Sequence, residues 1–93
     1  MNNTLARLEA TIAQRRAADP STSYVAKPNA KGVGKIAQKV GEEAVETVVA
    51  ATAEDETRLA AETADLLYHL LVLLQARGVP LQQVWVELER RER

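Results

Sequence analysis

Two long segments of the chain carry apolar residues around most of a helix circumference, and this pattern constrains the fold most strongly. They cover about residues 33–53 and 55–77, and both exceed the apolar stripe of about 100° that a surface helix needs. One contains KVGEEAVETVVAA, in which glutamates stand among alanines and valines. Two shorter helices cannot cover so much apolar surface. The pattern therefore predicts a helical bundle that pairs with a second copy, as a homodimer or a higher oligomer.

The region before the first long segment predicts one short helix and a loop. Asn3 can cap a helix that runs to about Ala18. The next residues, Asp19 to Gly34, are rich in Pro, Gly, Ser, Thr and Asn, which predicts a loop without a regular element. Loops of this length in a small domain are more often functional than not. The apolar stripe of the first helix consists of Leu5, Leu8 and Ile12.

Capping residues predict where the other helices begin and end. Asp55 is a suitable N-cap, Gly78 stands where a helix end favours a left-handed residue, and Pro80 fits the first turn of a last helix. No segment alternates cleanly like a strand. The sequence therefore predicts one all-α domain over residues 1–93, an antiparallel bundle of about four helices with two long central ones. One face of the last helix consists of Leu81, Val84, Trp85 and Leu88.

Composition excludes several kinds of chemistry. The chain has no cysteine, so a metal must be bound by oxygen atoms or by His69. Its formal net charge is −1 and its basic residues are scattered, which argues against nucleic-acid binding. The longest apolar run, LLVLL, is far shorter than a membrane span, and the N-terminus does not resemble a signal peptide. We expect a cytoplasmic protein with neither nucleic acid nor membrane as partner.

Charged residues of the two long helices fall on a single edge of each helix. Successive helical residues lie about 100° apart, which gathers the charges of the first long helix into one sector. The second long helix repeats this pattern at spacings of four, three and four residues. The first edge consists of Lys35, Lys39, Glu42, Glu43 and Glu46, and the second of Arg58, Glu62, Asp65 and His69.

Two interpretations of these edges remain open. They can be solvated edges with ordinary Lys–Glu pairs, each worth a few tenths of a kcal/mol. Alternatively, the edges face each other, and their carboxylates are tolerated together because a cation joins them. Oxygen ligands favour a hard cation such as Mg²⁺. A di-iron site requires Glu-x-x-His pairs, whereas His69 follows Asp65 by four residues.

The blocks KVGEEAVE and AAETADLLYHLLVLL resemble the E-x-x-E and E-x-x-D signature of the all-α, MazG-like nucleoside triphosphate pyrophosphohydrolases. More narrowly, SYVAK, KIAQKVGEEAVE and ADLLYHLLVLL resemble the phosphoribosyl-ATP pyrophosphatase family, over residues 5–89. The loop departs from the SYTAKL pattern of that family at Val25 and Pro28. The signature positions are Glu43, Glu46, Glu62 and Asp65.

This resemblance implies hydrolysis of 1-(5-phospho-β-D-ribosyl)-ATP to the corresponding AMP derivative and pyrophosphate, the second step of histidine biosynthesis, with Mg²⁺. It implies that the four signature carboxylates bind the metal. Glu42 would orient or deprotonate the attacking water, or be a further ligand. A pyrophosphatase of other nucleotides, and a non-catalytic dimeric interaction module, are the competing functions.

The resemblance also implies residues that contact the substrate. Lys35 and Lys39 are expected to meet phosphate oxygens, with ion pairs to Glu42 and Glu43 as the alternative. In the loop, Tyr24 and Lys27 are expected to approach the substrate; Tyr24 can stack on the base or ribose or anchor a small core. For His69, a satisfied core histidine is favoured over phosphate binding.

Overall fold

Four α-helices make up the part of the chain that the computed structural model describes, residues 3–18 and 30–92. They are α1 (Thr4–Ala18), α2 (Ala30–Ala53), α3 (Glu56–Ala76) and α4 (Leu81–Arg91), and neither described range contains a strand. α2 and α3 form an antiparallel hairpin, and α1 packs against α3. The all-α bundle with two long central helices, which the sequence predicts, is confirmed.

α2 begins earlier than the sequence predicts. The predicted start is Val33 or Gly34, whereas the helix begins at Ala30, so the predicted loop is wrong for residues 30–32. Gly32 and Gly34 each disfavour a helix by about 1 kcal/mol relative to alanine, which shifts the predicted start toward the C-terminus. An existing helix gains one hydrogen bond for each residue that it adds, and this gain allows it to extend through the glycines. Residues 19–29 lie outside the described part.

Both ends of α3 are capped as the sequence predicts. The Asp55 side chain accepts the backbone N–H of Arg58 at 2.9 Å. At the other end, Gly78 has a φ of 69°, and the N–H of Val79 donates to the carbonyl of Leu74 at 2.9 Å. This bond reaches back five residues, as in a Schellman motif, and it needs the left-handed glycine between its partners. α3 therefore has fixed limits that hold its charged edge in register.

The core lies where α1, α3 and α4 meet. Ile12, Leu71 and Leu81 are buried there, which confirms the predicted apolar stripe of α1 and the first position of the predicted face of α4. On α4, however, Trp85 is 40% exposed and Leu88 is 48% exposed. The predicted face of α4 is thus only partly covered by its own chain. Partly buried residues around the core are Leu5, Leu8, Tyr68, Val72, Leu74 and Val84.

A carboxylate of α1 caps the N-terminus of α4. Pro80 occupies the N-cap position, one place before the predicted first turn, and its side chain makes no capping hydrogen bond. Instead, Glu9 Oε2 accepts the backbone N–H of Leu81 at 2.7 Å. A helix N-terminus has free N–H groups and a partial positive charge, and a carboxylate satisfies both. This bond fixes α4 to α1.

Apolar side chains on both helices of the α2–α3 hairpin are exposed. Val45 and Val48 are 63% and 62% exposed, although apolar side chains of this size are usually buried. We call the exposed apolar residues of the hairpin the hairpin face; they are Val45, Val48 and Val49 on α2 and Leu67 and Leu70 on α3. The sequence places these residues in a bundle, yet the helices of a single chain leave them uncovered.

By length and composition alone, α3 could also cross a membrane. It has 21 residues, and its most apolar 18-residue window has a mean hydropathy of 1.2. The uninterrupted run LLVLL alone is too short to show this. The same composition occurs in core helices of bundles, and α3 carries Glu62 and Asp65 on the edge that meets α2.

We predict that Glu9→Ala lowers the free energy of unfolding by about 1–2 kcal/mol, because α4 loses the carboxylate that accepts the N–H of Leu81. Glu9→Gln keeps an oxygen acceptor and should lower the free energy of unfolding by less than half as much. Urea unfolding followed by circular dichroism measures both. Gln14→Ala, an exposed position on the same helix, is the matched control. Equal effects of Glu9→Ala and Gln14→Ala would contradict the capping role.

Candidate metal centre

Three carboxylates from α2 and α3 converge near the middle of the hairpin. Because the helices are antiparallel, Glu43 on α2 lies opposite Glu62 and Asp65 on α3. One oxygen from each residue lies within 4.8 Å of the other two. Glu43 is 6% exposed and Glu62 is 8% exposed, whereas Asp65 is exposed. The charged edges of the two helices therefore face each other, and we call these three residues the acidic cluster.

Glu46 extends this cluster toward solvent. A side-chain hydrogen bond with Glu43, followed by repulsion from the Glu43 charge, raises the pKa of Glu46 above its ordinary value. The charge of Asp65 acts in the same direction, and that of Lys39 opposes it. The charges of the neighbouring carboxylates therefore disfavour ionisation of Glu46.

Arg58 supplies positive charge to the buried Glu62. Its Nη2 lies 2.5 Å from Glu62 Oε2, and its Nε lies 3.8 Å from Glu54 Oε1. The Arg58 side chain is 55% exposed, while that of Glu62 is only 10% exposed. The guanidinium thus partly compensates for removing the Glu62 carboxylate from water. The sequence placed Arg58 on this edge and gave it no role.

His69 lies at the rim of the acidic cluster. Its Nδ1 is 2.7 Å from the carbonyl oxygen of Asp65 and 3.9 Å from Glu43 Oε1. Since a carbonyl only accepts, Nδ1 carries a proton and donates to Asp65. The ring also meets Tyr68 edge-on, with centroids 5.2 Å apart. His69 therefore has a backbone partner, as expected for a satisfied histidine, and it borders a cluster carboxylate.

Glu42 and Lys39 pair with each other outside the cluster. Lys39 Nζ lies 3.8 Å from Glu42 Oε1, and Gln38 Nε2 donates to Glu42 Oε2 at 3.2 Å. The ion pair of Lys39 is thus with Glu42, one of the two partners that the alternative from the sequence named. Glu42 and Lys39 are both exposed, and so is Lys35 one turn earlier. Predicted substrate contacts at Tyr24 and Lys27 fall outside the described residues.

Thr47 is a residue of the site that the sequence did not reveal. Its hydroxyl lies 2.8 Å from the carbonyl oxygen of Glu43 and 3.2 Å from that of Glu62. The first carbonyl belongs to its own helix, one turn back, and the second belongs to α3. The only signal in the sequence is a threonine four residues after Glu43, and this spacing does not reveal the contact across the hairpin.

The donor set fits a hard divalent cation. All three groups of the acidic cluster offer carboxylate oxygens, which Mg²⁺, Ca²⁺ and Mn²⁺ prefer. Two of the three are buried, so the negative charge lies where water screens it weakly. Arg58 is partly exposed and contacts Glu62 alone within the cluster. A bound cation would offset the remaining charge at a point where the helices already bring the oxygens together.

Comparison with known proteins covers almost the whole chain. Residues 5–92 match the model of the family described as phosphoribosyl-ATP pyrophosphohydrolase. A relative from Erythrobacter litoralis, named phosphoribosyl-ATP pyrophosphatase, is 67% identical over 90 residues, which cover 97% of this chain and 86% of the relative. A relative of the same name from Rhizorhabdus wittichii is 64% identical over 92 residues, with coverage of 99% and 87%. Both matches include all four helices.

We predict that Glu46→Gln raises the thermal unfolding midpoint of the protein in EDTA at pH 7. The raised pKa of Glu46 means that its contribution to stability is fully present below the ordinary value of 4.5 and is lost as pH rises through the raised value. Glutamine does not ionise and therefore removes that loss. The difference in unfolding midpoint between the variant and the unsubstituted protein should vanish below about pH 4. Differential scanning calorimetry across this pH range measures it.

The control for this prediction is Glu42→Gln. It removes one carboxylate from the same edge of α2, but the lost charge pairs with Lys39 instead of repelling Glu43. Its midpoint in EDTA should stay equal or fall slightly. A lower midpoint for Glu46→Gln at pH 7 would show that repulsion with Glu43 does not govern the region.

Proposed function

We infer that the chain, which belongs to the phosphoribosyl-ATP pyrophosphohydrolase family, hydrolyses 1-(5-phospho-β-D-ribosyl)-ATP to 1-(5-phospho-β-D-ribosyl)-AMP and pyrophosphate. This is the second step of L-histidine biosynthesis, and it makes the protein a hydrolase of a phosphoanhydride. The observation that carries the inference is the family match over residues 5–92, which includes the acidic cluster between α2 and α3.

We propose that the acidic cluster binds Mg²⁺ together with Glu46. Convergence of Glu43, Glu62 and Asp65 within 4.8 Å supports this assignment. The hydrogen bond between Glu46 and Glu43 supports the inclusion of Glu46. Their donor atoms are all carboxylate oxygens, and a substrate with several phosphate oxygens can complete the coordination of this ion. The E-x-x-E and E-x-x-D spacings place these residues one turn apart on each helix.

Hydrolysis requires water to attack the α-phosphorus while pyrophosphate leaves. When bound, Mg²⁺ supplies positive charge to the phosphate oxygens and acidifies nearby water. Glu42 is proposed to orient the attacking water and accept its proton. Its exposed position next to Glu43 supports this role, as does the Gln38 amide, which fixes one of its oxygens and leaves the carboxylate open to solvent.

The lysines of this edge are proposed to bind phosphate oxygens. Lys39 is about half exposed and lies 3.8 Å from Glu42, a loose pair that a phosphate group can displace. Lys35 is exposed one turn away on the same helix. Tyr24 and Lys27 are proposed to contact the substrate from the segment between α1 and α2, which lies outside the described residues.

The active form is proposed to be a homodimer that pairs through the hairpin face. This face exposes Val45, Val48 and Leu67, whose burial would contribute about 1.5–3 kcal/mol for each fully covered side chain. It belongs to the same two helices that carry the acidic cluster, so pairing would stiffen the hairpin. An isologous contact of this kind is the commonest arrangement of soluble homodimers.

Residues 1–93 are proposed to act as a single domain in the cytoplasm. Contacts among α1, α3 and α4 in one core support the single domain. A helix that carries Glu62 and Asp65 against α2 fits a bundle in water. No role in binding nucleic acid or membrane is proposed.

We predict Mg²⁺-dependent release of pyrophosphate from phosphoribosyl-ATP, with little turnover of dATP, dCTP or dUTP. Glu46→Gln should lower this rate by at least about 100-fold, because it removes a negative ligand from the site. Glu89→Gln removes an equal charge from α4 and should retain the rate. A coupled pyrophosphate assay with each nucleotide measures both effects.

Other outcomes of this assay are equally informative. Similar rates on common deoxynucleotides would identify a pyrophosphatase of broader specificity. Near-normal activity of Glu46→Gln would refute its assignment as a ligand. A protein that neither binds Mg²⁺ nor hydrolyses any of these nucleotides would instead be a helical interaction module.

We predict that Val48→Asp weakens dimerisation by at least about 100-fold, because a charge in an apolar interface has no partner there. Sedimentation velocity over a range of concentrations measures the mass. Val86→Asp is the matched control, since Val86 is 52% exposed on α4. Loss of the dimer with Val86→Asp alone would move the interface to α4, and a monomeric unsubstituted protein would refute the proposed dimer.

A further inference from the structure

Thr47 links the two helices of the hairpin at the level of the acidic cluster. Its hydroxyl lies within hydrogen-bond distance of two carbonyl oxygens, at 2.8 Å from Glu43 and 3.2 Å from Glu62. These two residues are also the buried charged residues of the described part of the chain. One hydroxyl group therefore contacts the backbone of a cluster residue on each helix.

The second contact distinguishes Thr47 from Thr52 and Thr63. Thr52 and Thr63 also donate to the carbonyl one turn back, at 2.9 Å and 2.7 Å. The partners of these two hydroxyls belong to their own helices, and such bonds merely satisfy a hydroxyl and slightly loosen the helix. Thr47 makes the same local bond and reaches Glu62 as well. A hydroxyl has a single hydrogen, so the two carbonyls share one donor.

We propose that Thr47 is a positioning residue, which sets the separation of the Glu43 and Glu62 carboxylates by holding their backbones in register. The inference rests on the proposed Mg²⁺ site. Mg²⁺ demands near-ideal octahedral geometry with oxygen distances of about 2.0–2.1 Å, so small shifts of one helix along the other are felt at the metal. Residues that orient ligands without touching the metal commonly tune its affinity.

The position of the bond supports this role. Thr47 is partly buried, and the shared hydrogen bond is therefore only weakly exposed to competition from water. The link joins backbone atoms, whose displacement moves each carboxylate as a unit with its helix. Arg58, by contrast, holds only the side chain of Glu62 and comes from the same helix. Thr47 thus reaches from α2 to the backbone of α3 at this level.

The test uses the full chain and Mn²⁺, which favours the same oxygen ligands as Mg²⁺ and gives a paramagnetic resonance signal when free. Titrations compare the unsubstituted protein with Thr47→Val, Thr47→Ser and Thr52→Val. Valine keeps the shape of threonine without the hydroxyl, and we expect about fivefold to tenfold weaker binding of Mn²⁺. Serine retains the hydroxyl and should stay within about twofold of the unsubstituted protein, and so should Thr52→Val.

Activity provides a second readout. Thr47→Val should raise the Mg²⁺ concentration for half-maximal rate by a similar factor, while saturating Mg²⁺ restores most of the rate. Circular dichroism in EDTA establishes that the variants are folded. Thr47→Ala is a second variant without the hydroxyl, and it should reproduce the weaker binding of Thr47→Val.

Each alternative result has a defined meaning. Unchanged Mn²⁺ binding by Thr47→Val would overturn the positioning role, and so would equal weakening by Thr47→Ser. Loss of helicity in both Thr47→Val and Thr47→Ala would assign the hydroxyl to folding alone and also overturn it. Failure of the unsubstituted protein to bind Mn²⁺ would remove the proposed metal site itself, an outcome distinct from a failure of Thr47 alone.

Discussion

Removal of two carboxylates from water, at the contact between α2 and α3, is the constraint on which the structure depends. Glu43 and Glu62 are each less than one-tenth exposed, and such burial is unfavourable unless charge or hydrogen bonds compensate. Arg58 compensates Glu62 at 2.5 Å, and Glu43 lies beside Glu46, whose pKa it raises. The Arg58 guanidinium therefore offsets part of the unfavourable burial of these carboxylates. Capping at both ends of α3 keeps Arg58 and Glu62 in register with Glu43 on α2.

Much of this arrangement could be predicted from local spacing. Helical periodicity places Glu43, Glu46, Glu62 and Asp65 on two edges, and capping residues such as Asp55 and Gly78 define the limits of α3. Periodicity is a property of consecutive residues, so it can be identified from the sequence without knowledge of the fold. The acidic cluster follows once the two edges face each other, and a two-residue turn between α2 and α3 leaves few alternatives.

The features that could not be predicted depend on contacts between residues that are distant in the sequence. Neighbouring positions on a helix differ by about 100°, so the orientation of α2 about its axis decides that Glu43, and not Glu42, enters the cluster. The bond from Leu81 to Glu9 joins residues 72 apart, and that from Thr47 to Glu62 joins residues 15 apart. No local pattern marks either bond. Exposure of Trp85 likewise reflects what other helices fail to cover.

The hairpin face and the acidic cluster share the same turns of α2. A substitution in these turns can therefore affect both. Val45 precedes Glu46 in the chain, and Val48 follows Thr47, so side chains on opposite sides share one stretch of backbone. A substitution on the hairpin face that shifts α2 would also move Glu43 relative to Glu62. Mass and metal affinity must therefore be measured on the same variant. A metal-binding defect indicates a residue of the site only where the oligomeric state is unchanged.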